Sequence, residues 1–259
     1  MWIILRKECV EIKTVEIKEN ERIDDLQYKN LKIIQDNTGF CFGIDSVILA
    51  NFAKNIKKNS KVADLGTGTG ILGIILCAKT NLESIVGIEI QEEVAQMANR
   101  SIKLNELENK FKIINSNIKD VISKKLLNKN EYDVVITNPP YKEIGRGKIN
   151  LDSKKVISRH EVTANLNDFL IVAKELLKDK GEFYMVHKPE RLVDIICNLR
   201  ENKLEPKEIK MVYPNKDSKP SLVLIKAIKG ANKFLEIDEP LYIYDENGNY
   251  TNKIKEIYT

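Results

Sequence analysis

The segment "VADLGTGTGILG", Val62 to Gly73, constrains the fold most. A short apolar stretch, "KVADL", ends in Asp64-Leu65, three glycines follow at alternate positions, and an apolar helical run, "GILGIILCAKT", begins without a linker. Glycine turns through positive φ without steric cost and lets backbone approach a ligand closely. A strand, a glycine loop and a helix in succession make a ligand-cradling corner of an open α/β sheet. In such sheets ligands bind at the carboxyl ends of the strands.

The rest of the chain repeats the alternation. "SIVGIEI", "FKIIN" and "YDVVIT" read as further buried strands, and "EFYMV", "EIKMVY" and "SLVLIKAI" as three more, giving seven. The last two have no convincing helix between them and are expected to run antiparallel; most of the others should be parallel, with helices on both faces. The helix from Glu92 places Val94, Met97, Ala98, Ser101 and Ile102 on one face. Another, from Asn167, should bury Leu170, Ala173, Leu176 and Leu177 before Gly181 ends the unit. Upstream, a hairpin is expected around Asp36-Asn37-Thr38-Gly39, and Asp45 is expected to cap a helix carrying Val47, Ile48, Ala50 and Phe52. No repeat or linker divides the chain. Residues 1–20 read as an extension to one domain over 21–259, with a hairpin and helix at about 30–55, a core at about 60–230 and a C-terminal tail.

Composition narrows the class. With 259 residues, 42% hydrophobic and 31% charged, the chain has the make-up of a soluble globular protein. No apolar run is long enough to span a bilayer. "MWIILRKECVEIK" lacks a signal peptide's hydrophobic core, so a cytoplasmic location is expected. Cys9, Cys41, Cys77 and Cys197 are scattered and the only histidines are His160 and His187, which suggests neither a disulfide framework nor a metal site. The net charge of +4 is mild, yet Lys142 to Arg159 alone carries six basic residues against two acidic ones. A second basic stretch, Lys207 to Lys233, has seven lysines against Glu208 and Asp217. Such runs attract phosphate.

Spacing separates the possible cofactors. A dinucleotide fingerprint begun at Gly66 needs a small residue at position 71, where Ile71 stands, and the glycines are spaced G-x-G-x-G instead. A pyrophosphate favours a bare helix N-terminus. Asp64, two residues ahead of the first glycine, suits a ligand bearing positive charge, such as the amino group and sulfonium of S-adenosylmethionine. Glu89, ending the next strand, can accept both hydroxyls of a ribose. These residues resemble the first motif of the class I S-adenosylmethionine-dependent methyltransferases. The resemblance implies that Asp64, Gly66, Thr67, Gly68 and Gly70 surround the methionine portion, that Glu89 holds the ribose, and that Ile90 flanks the adenine. It implies that Asn117 and Ile118, in the loop after the third strand, lie by the adenine amino group.

The fourth strand ends in Asn138-Pro139-Pro140-Tyr141. An exocyclic amine is a poor nucleophile because its lone pair is delocalised into the ring. Two acceptors, the Asn138 side-chain oxygen and the Pro139 carbonyl, can each bond one amine hydrogen and pull the nitrogen toward sp³. The prolines fix φ near −65° and so hold that carbonyl in place. Tyr141 can stack on a flat target, worth roughly 1–3 kcal/mol for a nucleobase. The tetrapeptide resembles motif IV of amino-methyltransferases, which adenine-N6, guanine-N2 and glutamine-N5 enzymes share.

"ERIDDLQYKNLKIIQDNTGFCFGIDSVILANFA", NPPY, "SRHEVTANLNDFLIVAKELLKDKGEFYMVHKPERL" and "PLYIYDENGNYT" together look like the bacterial family of tRNA(Val) adenine-N6 methyltransferases. That resemblance implies a Rossmann-like fold, methyl transfer to an adenine N6 in a tRNA anticodon loop, and a place near the cofactor for Phe42, Gly43 and Asp45. Lys142, Arg146, Lys148, Arg159 and His160 become candidates for contacting the RNA. The C-terminal lysines would also meet phosphates. Ribosomal RNA, DNA, a protein glutamine, or a non-catalytic RNA-binding role stay open as alternatives, and the oligomeric state is not specified.

Overall fold

The computed structural model describes residues 15–37, 43–141 and 164–258. Its sheet follows from strands that carry apolar residues on both faces. In Tyr132–Thr137 (β6), Val134 and Ile136 enter one core cluster and Val135 the other. Successive side chains point to opposite faces, so such a strand must be covered on both.

The core strands are Lys61–Leu65 (β3), Ser84–Glu89 (β4), Phe111–Asn115 (β5), β6, Leu177–His187 (β7), Leu204–Tyr213 (β8) and Leu222–Lys229 (β9). They lie in the order β5-β4-β3-β6-β7-β9-β8. β9 runs antiparallel to both neighbours, whereas the other pairings are parallel. The expected mostly parallel sheet, with its last two strands antiparallel, is therefore present. Two strands of two residues, Glu236–Ile237 (β10) and Leu241–Tyr242 (β11), extend it beyond the expected seven by pairing with β8.

Helices cover both faces. Ile44–Phe52 (α1) and Ile71–Lys79 (α2) pack on one, joined by Ile254 of the short C-terminal helix Asn252–Lys255 (α7). Asp120–Ser123 (α4), Leu166–Leu176 (α5) and Leu192–Glu201 (α6) pack on the other. Each fully buried Leu, Ile or Phe in these layers contributes about 1.5–3 kcal/mol. Glu92–Leu104 (α3) buries Ala95, Met97, Ala98, Ser101 and Ile102; Ala95 takes the place expected for Val94.

The structure adds a hairpin and moves two boundaries. Lys32–Asp36 (β2) is the second strand of a hairpin whose first is Glu21–Asp25 (β1), with its turn before Leu31; Thr38 and Gly39 of the expected Asp36–Gly39 turn lie outside the described residues. The hairpin is clamped to α3: Arg100 donates to both Glu21 carboxylate oxygens, at 2.5 and 2.6 Å, and Ser101 Oγ accepts the Ile34 N–H at 3.0 Å. α5 starts at Leu166 rather than Asn167 because Asn165 and Asp168 form a reciprocal capping box, at 2.8 and 3.0 Å. Leu177 then opens β7, and Gly181 lies within that strand, where the register shifts between Tyr132 and Val134 of β6.

Candidate active site

The carboxyl ends of neighbouring strands bring the site together. At the end of β3 the chain reaches Asp64 and turns through Gly66 (φ +73°), Gly68 (φ +58°) and Gly70 (φ +84°) into α2. The positive φ values at all three are the reason for glycine there. The turn is tied to β4 by the Gly66 and Thr67 N–H groups, which donate to Ile88 O at 2.9 and 3.0 Å. A Cβ added at Gly68 would meet nothing within 4 Å, so the loop borders open space.

Two buried carboxyl groups face this loop. Asp64 is 1% exposed and accepts the Thr67 hydroxyl at 2.6 Å. Burial, with the neighbouring Glu89 charge, pushes its carboxyl up to about 7. Glu89 accepts the Gly68 N–H at 3.0 Å and the Gln91 N–H at 2.8 Å, and burial raises its carboxyl above the usual range. Paired buried carboxylates repel a pyrophosphate and welcome a cation. This donor set fits the ammonium, sulfonium and ribose hydroxyls of S-adenosylmethionine.

Beside Glu89, Ile90 is 41% exposed at the mouth of the strand, a large apolar side chain available to a flat ring. Asn115 Nδ2 donates to Glu89 O and Ile90 O, at 2.9 and 3.1 Å, holding the β4 and β5 ends together. Asn117 Oδ1 accepts the Lys119 N–H at 3.0 Å and shapes the loop after β5. Ile118 is buried with Val121 in the core beneath that loop.

At the end of β6, the Thr137 hydroxyl donates to Leu65 O at 2.7 Å and locks β6 to β3. Asn138 follows, its Nδ2 donating to Ser46 Oγ at 3.0 Å. The Tyr141 hydroxyl lies 2.7 Å from Asp45 Oδ2 and 2.9 Å from Asn138 Oδ1. Burial and the Asp45 charge raise the Tyr141 hydroxyl above the ordinary phenol range. His187, at the end of β7, meets the Tyr141 ring edge-on at 5.3 Å, and Lys188 Nζ stands 5.1 Å from the ring centroid. Burial lowers the His187 imidazole, which keeps it neutral at pH 7.

Asp45 holds Tyr141 through Oδ2, while its Oδ1 accepts the Ser46 N–H at 3.0 Å from within the helix rather than from the cap position. The cap position is Gly43, and Asp45 sits in the first turn of α1. Ser46, His187 and Lys188 are site residues that the sequence reading passed over; position at a strand's carboxyl end would have flagged the last two. Phe42, Lys142, Arg146, Lys148, Arg159 and His160 lie outside the described residues. Of the C-terminal lysines, Lys226 pairs with Glu182, and Lys229 donates to Lys174 O and Leu177 O. Lys207 donates to Asn232 O. Lys229 pairs in register with Leu204, where β8 begins, so it sits at the end of the sheet away from Asn138. Lys229 is therefore not placed to meet a substrate at the NPPY turn.

The sheet order, the acid-glycine loop after β3 and the acid ending β4 define a class I methyltransferase fold. Solved structures agree: a protein from Agrobacterium tumefaciens described as a predicted O-methyltransferase superposes with a TM-score of 0.66 at 19% identity, over 83% of this chain and 95% of that one. Geranyl diphosphate C-methyltransferase from Streptomyces coelicolor gives 0.54 at 12% identity, over 71% and 78%. The chain belongs to the methyltransferase small domain family, whose model matches residues 43–198, more than half of its length. It is similar to the tRNA1(Val) (adenine(37)-N6)-methyltransferases of Parabacteroides distasonis, 26% identical over 77% of this chain and 81% of the relative, and of Histophilus somni strain 129Pt, 27% identical over 89% and 94%. The relative of that name from Flavobacterium johnsoniae is 23% identical over 90% and 98%.

Proposed function

We propose that this chain methylates the exocyclic N6 amine of an adenine in a tRNA anticodon loop, with S-adenosylmethionine as donor. The observation that carries this reading is an amide, Asn138, that follows β6 next to the glycine loop, where β3 and β6 pair and the buried carboxyl groups of Asp64 and Glu89 bond. Asp64 would meet the cofactor's positive groups and Glu89 its ribose. S-adenosylmethionine, when bound, supplies an electrophilic methyl group. Asn138 Oδ1 and the Pro139 carbonyl each accept one N6 hydrogen, which draws the nitrogen toward tetrahedral geometry and exposes its lone pair. The surplus proton passes to water after transfer, so no side-chain base is needed. The substrate class rests on the three similar tRNA enzymes, and a single-stranded loop suits it because its bases are readily splayed out.

Incubation with labelled cofactor and separate pools of tRNA, ribosomal RNA, DNA and release factors tests this reading. Label in tRNA as N6-methyladenosine is expected; label in protein or ribosomal RNA alone overturns the substrate. Asn138→Ala should lower turnover by on the order of 10²-fold, as lost electrostatic contacts to a transition state do, while cofactor affinity stays within about twofold. Equal loss of both would give Asn138 a structural role.

A further inference from the structure

An asparagine amide is nearly symmetric in shape, and its two ends do opposite things. Only the oxygen can accept a hydrogen from the target amine; turned by 180°, the side chain would present an NH2 that repels it. The reaction therefore depends on what fixes the turn of Asn138, a question that rests on the function proposed above.

Two neighbours bear on it. Tyr141 O lies 2.9 Å from Asn138 Oδ1, but its single proton has a second acceptor, Asp45 Oδ2, at the shorter distance of 2.7 Å. A phenol donates preferentially to a carboxylate, since charge-assisted hydrogen bonds are roughly twice as strong as neutral ones. With its proton on Asp45, the Tyr141 oxygen offers Asn138 only lone pairs, which suit the amide NH2 better than the amide oxygen. Tyr141 alone therefore does not set the productive orientation. The other neighbour is Ser46 Oγ, 3.0 Å from Asn138 Nδ2 and 6% exposed. Ser46 lies in the first turn of α1, and a lone pair on its hydroxyl oxygen accepts from the Asn138 NH2. An acceptor there holds the NH2 end and turns the oxygen the other way.

We infer that Ser46 is a positioning residue for methyl transfer, fixing the Asn138 amide so that its oxygen receives the target amine. It touches neither cofactor nor substrate and acts through Asn138.

The test compares wild type, Ser46→Ala, Ser46→Thr and Asn138→Ala in whichever nucleic-acid or protein pool the wild type labels, with cofactor affinity measured by calorimetry. Ser46→Ala is expected to lower kcat about tenfold with KM and cofactor affinity within twofold, and Ser46→Thr, which keeps the hydroxyl, to recover to within about threefold of wild type. Unchanged kcat in Ser46→Ala overturns the inference. A drop that Thr does not recover, or one shared by KM and cofactor affinity, does so too, because it marks a packing role. Full activity of Asn138→Ala refutes the reading of the site itself, which separates that failure from a failure at Ser46.

Discussion

Asp64 has no cation beside it among the described residues, and its carboxyl stands at about 7 because burial disfavours the charge. A cationic cofactor favours the ionised form, so binding must expel a proton wherever the free protein holds one. Affinity for S-adenosylmethionine should therefore weaken as pH falls below about 7, approaching tenfold per unit. Calorimetry at pH 6 in buffers of different ionisation enthalpy should detect release of nearly one proton. The same shift has the opposite sign for folding. Because the folded pKa lies above the unfolded value of 3.8, the folded state holds the extra proton, and stability from this group declines as pH rises from about 4 to 7. A pH-independent affinity between 5.5 and 7 would rule Asp64 out as the cofactor's counter-charge.

Asp64, Glu89 and Asn138 were legible as strand-end residues because each is signalled locally, Asp64 and Asn138 by the glycine or proline that follows and Glu89 by the apolar run it ends. Ser46 and Asp45 were not legible as partners of the NPPY turn. They meet it across 92 and 96 residues, and nothing in "GIDSVILA" marks which side chain faces another loop.

Among the elements, α2 shows how tightly the glycine corner is packed. Gly73 lies in its first turn, and a Cβ there would fall 2.4 Å from ring carbons of Phe111, a side chain fully buried on β5. Gly73→Ala should destabilise the protein by about 1–3 kcal/mol through overpacking, although alanine is the better helix former. That corresponds to a fall in Tm of several degrees for a chain of this size. Phe111→Leu in the same background should recover part of the loss; if Gly73→Ala alone is neutral, the helix does not press on β5 as described. Helices and parallel strands were readable here because their apolar periodicity is strong. β1 was missed because its sequence, "ERIDD", has no apolar alternation. It is held by Arg100 and by backbone pairing with β2 instead.

Over the whole molecule, no helix among the described residues is long and apolar enough to cross a membrane. The net charge of +4 is concentrated in sequence rather than spread. If the Lys142–Arg159 segment meets about four phosphates of a single-stranded loop, the slope of log K against log salt should be roughly −3. Lys229→Ala should leave that slope unchanged, because this side chain bonds within the protein at the end of the sheet away from Asn138. Lys154→Ala with Lys155→Ala should flatten it, and a salt-independent affinity would remove RNA from the account.

The sequence by itself determined the α/β class, the glycine corner with its two acids, and the NPPY turn, because short-range sterics and strand periodicity encode them within a few residues. Only the tertiary structure decided that β9 slides between β7 and β8, that the first hairpin closes on α3, and that α1 brings Asp45 and Ser46 onto Asn138 and Tyr141. Those outcomes depend on which buried surfaces and hydrogen-bonding groups complement each other across the fold, and local pattern carries no record of a partner 90 residues away. The tetrapeptide supplies the amide; the fold supplies the neighbours, Ser46 and Tyr141, that it meets.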